Sequence, residues 1–401
     1  MNRPPKKNPF ENVLFSLVAV VVFFASIEAG LQLSGYQPKI KLQSFDIPSW
    51  VADLDPVAVE EYKENVARRG FVNEDVYAYR PHPELNYLLK PNIRLQVKNY
   101  LSERYMDKLP PWTIVSGPDG FRVGGRGAEV APEGVPLRTI HVLGDSSSFG
   151  WGVDFEETYG HVVGEELNRA RRQDGLIYVL ENHAIPGFTS FQGRLLANRF
   201  FADRVNPGDL VLISFGYNDA TPSSESDRKR FEKQNSSLGK LRWFLSRLLL
   251  YRVLKSFFIG WDWAGETPSP DTASPRVSSE EYRENLRAIF DSVLRRGGDP
   301  VFISVCNYVY SAAAREVAET YNVPFLSFPE EWEPFLPQAP SLLPEKFMAY
   351  RDSYGDLMNE DDYLTFMFPD YCHPNAIGHR LIAEVVGQAL GRKFGLDRKP
   401  I

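Results

Sequence analysis

Cysteine and histidine are both scarce in this chain, two and six respectively among 401 residues, and the shortages exclude several classes of protein. Cys306 and Cys372 are too few to staple a disulfide scaffold. Cys306 ends an apolar run and Cys372 lies beside a histidine. Two separate buried thiols are the favoured expectation, with a bridge as the alternative if the domain is exported. The histidines and cysteines lack the short spacings of metal ligands, so neither a metal nor any other cofactor is expected. A phosphate loop and a dinucleotide fingerprint are missing too, since Gly150 and Gly152 in "FGWG" fit neither pattern. The formal net charge of −7 leaves no concentrated basic face, which speaks against a chain that coats nucleic acid.

What is present is a globular composition: 43 % hydrophobic, 24 % charged and 13 % aromatic residues. The length suits one large α/β domain plus a further module. The first segment departs from ordinary solubility. Residues 1–11 carry Arg3, Lys6 and Lys7, and residues 12–34 form an apolar run with no formal charge from Asn12 to Ile27. That run is about one bilayer crossing, with Glu28 tolerated near an interface. The basic residues before it favour a cytoplasmic N-terminus, although Lys39 and Lys41 dilute the asymmetry. A cleavable signal fits less well, because Ile27 is bulky where a small residue is wanted. No cysteine follows until Cys306, which excludes a lipid-modified N-terminal cysteine. The expectation is a single-pass anchor with the bulk of the chain outside the cytoplasm, periplasmic or extracellular.

Residues 35–136 read as a linker and small accessory β region, with short strands in "LNYLLKPNIRLQVKNYL" and "WTIVSGPDGFRV" and no obvious chemistry. From 137 to 395 apolar strands alternate with amphipathic helices. The strands are expected at 138–144, 177–183, 209–216, 300–306 and 323–328, the helices near 158–172, 189–204, 279–296, 312–321 and 375–391. This alternation predicts a parallel sheet covered on both faces, with ligands beyond the carboxyl ends of the strands. An insertion at 220–278 breaks the rhythm. Its apolar and basic centre, "KLRWFLSRLLLYRVLKSFFIGWDW", predicts a helix with Lys240, Arg247, Arg252 and Lys255 on one side. That helix is expected to pack on the domain, with an interfacial helix or acyl-binding lid as the alternative.

Chemistry-bearing residues cluster at the strand ends. Gly144-Asp145-Ser146 follows the first strand, and Ser146 has the best position in "GDSSS". Gly187 lies in the loop after the second strand, and Gly216 with Asn218 in "GYND" follows the third. Asp370 and His373 in "DYCHPN" are spaced so that a carboxylate could orient one imidazole nitrogen and leave the other as a base. His379 falls within the last amphipathic helix and is expected to pack or face solvent. The Gly-x-Ser-x-Gly elbow is absent, because Ser148 stands where its second glycine would be.

With these blocks the sequence resembles the SGNH hydrolases, the GDSL-type esterases and lipases, over about residues 137 to 395. The resemblance implies a three-layer α/β/α sandwich around a central parallel five-stranded sheet of flavodoxin-like type. It implies Ser146 as nucleophile, His373 as base, Asp370 as its orienting acid, and an oxyanion hole of the Ser146 and Gly187 N–H groups with Asn218. Asp145 and Gly216 support the site. The implied activity is hydrolysis of acetyl or longer acyl esters, with a cell-envelope glycan or lipid as the expected substrate. An O-acyltransferase acting on an envelope polysaccharide and a catalytically silent binding module are the alternatives.

Overall fold

The computed structural model describes residues 9–35, 78–97, 109, 111–125, 136–170, 176–200, 202–245, 248–258 and 274–394. Its principal elements, in chain order, begin with α1 (Pro9–Leu33) and the short strands β1 (Tyr79–His82), β2 (Asn86–Leu89), β3 (Arg94–Val97) and β4 (Trp112–Val115). Next come β5 (Leu137–Gly144), α2 (Ser146–Phe149), α3 (Tyr159–Ala170), β6 (Ile177–Asn182), α4 (Ser190–Leu195), β7 (Leu210–Ser214), α5 (Tyr217–Ala220) and β8 (Pro222–Ser223). The insertion carries α6 (Asp227–Asn235), α7 (Ser237–Leu245) and α8 (Leu249–Phe258) and ends in β9 (Ser274–Pro275). The chain finishes with α9 (Ser279–Leu294), β10 (Asp299–Ser304), α10 (Ser311–Thr320), β11 (Phe325–Ser327), α11 (Pro344–Glu360) and α12 (Ala376–Phe394).

These elements form two compact units. The larger comprises residues 45–231 and 268–401. At its centre the five parallel strands run in the order β11-β10-β7-β5-β6. Helices cover both faces, which is why β7 is apolar and buried along its whole length rather than alternating. Renumbered within the sheet the order is 2-1-3-4-5, so the chain turns back between β5 and β7 and leaves a crevice at their carboxyl ends. Ser146 opens on that crevice from the residue pair after β5. The accessory strands pair as two antiparallel hairpins, β1 with β2 and β3 with β4.

Helix α4 is shorter than the amphipathic pattern predicts, passing after Leu195 into a π-helical turn at Leu196–Phe200 and a 3-10 turn at Ala202–Arg204. Helix α11 gave no clear periodic signal in the sequence, and it kinks at Tyr354. The two cysteines correct an expectation: Cys306 and Cys372 are joined as a disulfide, with Cα atoms 4.8 Å apart. Their separation of 66 residues hid a neighbourhood that the sheet creates.

The smaller unit comprises residues 1–44 and 232–267. Within it Val13–Leu33 is long and apolar enough to cross a membrane, and none of it is buried. Glu28, the acidic residue near the end of this helix, has a defined task. Its carboxylate accepts the backbone N–H groups of Leu249 and Leu250, at 3.0 and 2.8 Å, and so caps the start of α8. The apolar centre of the insertion is therefore two helices rather than the single helix expected, and α8 packs on α1. Of the four basic residues expected to cluster there, Lys240 lies exposed on α7, while Arg247 and the side chains of Arg252 and Lys255 lie outside the described residues.

Candidate active site

The turn after β5 is built by Asp145. As N-cap of α2 its Oδ1 accepts the Ser147 backbone N–H at 3.0 Å and the Ser147 hydroxyl at 2.7 Å. Burial pushes its carboxyl up from the ordinary value, against the opposing pull of the Ser147 hydroxyl and N–H. Ser148 turns inward, where its Oγ accepts the Tyr159 hydroxyl at 2.8 Å. Of the three serines, Ser147 and Ser148 are buried and committed to structural bonds, and Ser146 is the one left at the crevice.

His373 reaches Ser146 from the segment before α12. Its Nε2 lies 2.7 Å from Ser146 Oγ, and its Nδ1 lies 2.6 Å from Asp370 Oδ2. A carboxylate only accepts, so Nδ1–H donates to Asp370 and Nε2 is the acceptor for the serine hydroxyl. The other oxygen of Asp370 accepts the backbone N–H groups of Cys372 and His373, both at 2.9 Å. Tight closure of this turn holds Tyr371 at φ +56°. The disulfide then fixes Cys372, next to His373, to the end of β10. His379 is excluded from the crevice: it is fully buried, stacks on Tyr159, and burial lowers its pKa to about 3.

The other two blocks converge on the same turn. Asn218 Nδ2 donates to the Phe188 carbonyl at 3.1 Å and lies 3.4 Å from Asp145 Oδ2. One amide thereby touches the serine block and the loop of Gly187. Gly216 precedes it at φ +145°, where a Cβ would overlap the Asn307 side chain, so only glycine permits this approach. Gly187 has φ +80°, and its carbonyl accepts Arg276 Nη1 at 2.9 Å. Asp219 turns away from the crevice and caps α4 by accepting the Ser190 N–H at 2.9 Å.

The residues that brace these loops leave no signal in the sequence pattern. Arg122, in the accessory region, is buried and spreads its guanidinium over four carbonyls: Phe149 at 2.6 Å, Gly150 at 2.8 Å, Val153 at 2.6 Å and Thr113 at 3.1 Å. Burial lowers its pKa to about 10, still far above neutrality. Tyr87 Oη donates to the Pro186 carbonyl at 2.6 Å, beside Gly187. The accessory region thus braces the loops of the site through backbone carbonyls, without adding a reactive group of its own. Arg276 and Asp227, at the two ends of the insertion, pair at 2.9 Å and fix the far side of the Gly187 loop. A pocket of about 240 Å³ lined by Tyr308, Pro329, Trp332, Tyr363 and Tyr371 lies on the Tyr371 side of the His373 turn.

A family model described as "GDSL-like Lipase/Acylhydrolase family" matches residues 142–381, a span that contains all four blocks. No curated protein sequence matches the chain. Among solved structures, a psychrotrophic esterase EstA from Pseudoalteromonas sp. is 17 % identical, with a TM-score of 0.36, covering 64 % of this chain and 99 % of that one. A lipase/acylhydrolase from Enterococcus faecalis is 15 % identical, with a TM-score of 0.34, covering 66 % and 100 %. An acetyl xylan esterase, AlAXEase, is 14 % identical, with a TM-score of 0.36, covering 63 % and 99 %. With the family match spanning more than half its length, the chain belongs to the GDSL-like lipase/acylhydrolase family and is a hydrolase acting on ester bonds.

Proposed function

We propose that the chain is a membrane-anchored serine esterase that removes acetyl or longer acyl groups from a cell-envelope glycan or lipid. The observation that carries this reading is the continuous relay from Ser146 Oγ through His373 to Asp370, at 2.7 and 2.6 Å. In this mechanism Ser146 Oγ attacks the acyl carbonyl carbon while His373 Nε2 takes the hydroxyl proton. Asp370 stabilises the imidazolium that results. The tetrahedral oxyanion is held by the Ser146 and Gly187 N–H groups and by Asn218 Nδ2. Collapse expels the alcohol, which takes the proton from His373. A water molecule, deprotonated by the same nitrogen, then attacks the acyl-serine and releases the acid.

The disulfide supports an oxidising compartment, since such bonds rarely persist in the cytosol. The apolar Val13–Leu33 helix supports a single-pass anchor that leaves the hydrolase outside. The aromatic pocket beside Tyr371 suits a sugar ring or an acyl chain. If a sugar hydroxyl seated there replaces water, the same acyl-serine serves an O-acyltransferase. The test is turnover of p-nitrophenyl acetate, with and without a polysaccharide acceptor, by wild-type, Ser146→Ala and Ser147→Ala proteins. The expected result is hydrolysis by wild type, a loss of about 10³-fold or more in Ser146→Ala, and a mild change in Ser147→Ala. Fluorophosphonate should label the membrane fraction at Ser146. Undiminished turnover by Ser146→Ala rejects the reading, and acyl transfer exceeding hydrolysis in the presence of acceptor favours the transferase.

A further inference from the structure

We infer that the chain carries a divalent metal site away from the hydrolytic centre, formed by His141, Glu181 and His183 and suited to zinc. His141 lies within β5, Glu181 pairs with it across the sheet on β6, and His183 follows the end of β6. Spacing along the sequence does not betray this group, because parallel pairing brings together residues 40 and more positions apart. His141 Nδ1 and His183 Nε2 are 3.3 Å apart. Glu181 Oε2 lies 3.5 Å from the first and 3.2 Å from the second. Ligand atoms about 2.0–2.1 Å from a single tetrahedral ion stand about 3.3–3.4 Å from one another. The three side chains therefore have the mutual spacing of one face of such a site, and its fourth position is left for water.

Without an ion the three groups hydrogen-bond among themselves: His141 Nδ1 and His183 Nε2 share a proton, and both rings stand against Glu181 Oε2. A divalent cation would take the place of that shared proton. Behind the group, His141 Nε2 faces Asp209 Oδ2 at 3.6 Å, on the side of the ring away from Glu181. Asp209 is itself held by the backbone N–H groups of Thr139 and Asn206 at 2.8 and 2.7 Å. A carboxylate behind a histidine ligand fixes the ring orientation and strengthens the free nitrogen as a donor to metal.

Both histidines are almost wholly buried, with Phe121 edge-on over His183. Arg204 is the competing cation, 3.8 Å from Glu181 Oε2, but it also contacts Asp119 and is half exposed, so a metal displaces it without stranding a charge. An ion here would clasp β5 to the segment leaving β6, four residues before Gly187. Its role is to stabilise that edge of the sheet.

The test uses the full-length, tag-free protein in detergent, stripped with EDTA and then equilibrated with Zn²⁺ alone. The readouts are metal content by elemental analysis, affinity by competition with a chromophoric chelator, and the thermal midpoint. The expected result is about one zinc per chain, a midpoint raised by zinc and lowered by chelator, and affinity reduced at least about tenfold by Glu181→Gln. Glu181 is partly exposed, so this variant should fold where His183→Ala could fail; circular dichroism checks that it does. A folded wild-type protein that retains no zinc after desalting overturns the inference. So does a Glu181→Gln variant that binds zinc as tightly as wild type.

Discussion

Asn218 holds one amide between the Phe188 carbonyl and the Asp145 carboxylate, so its N–H₂ group is oriented before any substrate arrives. The 3.4 Å contact to Asp145 is the longer of the two, so releasing it frees one N–H for negative charge developing on a carbonyl oxygen while the bond to Phe188 keeps the amide in place. Asn218→Ala should therefore lower kcat by about 10²–10³-fold with little change in KM, measured with p-nitrophenyl acetate. Its neighbour Asp219 is expected to act on stability instead. It is fully buried, and burial raises its pKa from 3.8 to about 7, against the opposing pull of the Ser190 hydroxyl and N–H. A raised carboxyl pKa means that the folded chain binds the extra proton between those two values, so this group's contribution falls as pH rises from about 4 to about 7 and is flat above. The limiting slope is about 1.4 kcal/mol per pH unit. Asp219→Asn should flatten the stability profile between pH 5 and 7 in urea titrations; an unchanged slope counts against the assignment. The sequence singles out Ser146, Gly187, Asn218, Asp370 and His373 because few residue types suit the proposed chemistry and all of them fall at strand ends or late loops, and the fold brings Ser146, His373 and Asp370 within hydrogen-bonding distance. Arg122 is not singled out, because its partners are backbone carbonyls and leave no trace in residue identity.

At the scale of elements, the His373 turn depends on two constraints of different origin. The local one is Asp370, whose carboxylate gathers the Cys372 and His373 N–H groups. The distant one is the Cys306–Cys372 bond, which ties the turn to β10 across 66 residues. Closing a loop of that length restricts the unfolded chain and commonly stabilises by about 2–4 kcal/mol. Replacing both cysteines by alanine should lower the thermal midpoint. It should also reduce kcat severalfold, because His373 then relies on Asp370 alone for its position. A reductant should reproduce the effect on the wild type and leave the double variant unchanged. The bond was hidden because the sequence placed Cys306 correctly at a strand end but could not say which late segment returns to that end. Strand and helix positions in the hydrolase unit were read well from apolar runs and amphipathic spacing. The π-helical turn after Leu195 and helix α11 escaped, the first because an amphipathic pattern does not report a change of helical pitch.

On the scale of the whole molecule, the alternation of strands and helices dictated a parallel sheet, while the order of its strands is a property of long-range pairing that periodicity does not encode. That order makes the crevice between β5 and β7, where a serine and a histidine 227 residues apart can meet. The smaller unit follows a different logic. Helix α1 exposes Val13 to Phe24 almost throughout, and α7 exposes Leu238, Leu241 and Phe244 along one side. Apolar surface of this extent is what a helix lying against lipid presents, in keeping with the proposed anchor. Glu28 links the two parts of the unit by capping α8, so the insertion belongs with helix α1. Deleting residues 1–35 should therefore leave the protein dependent on detergent, because α7 and the face of α8 that packs on α1 stay apolar. Removing residues 232–267 as well should release a soluble enzyme whose turnover of p-nitrophenyl acetate stays within severalfold of wild type, since no member of the proposed relay or oxyanion hole lies in either segment. Phase partitioning in a detergent that clouds on warming measures both variants. Full transfer of the first deletion to the aqueous phase would show that the insertion has no affinity of its own for lipid.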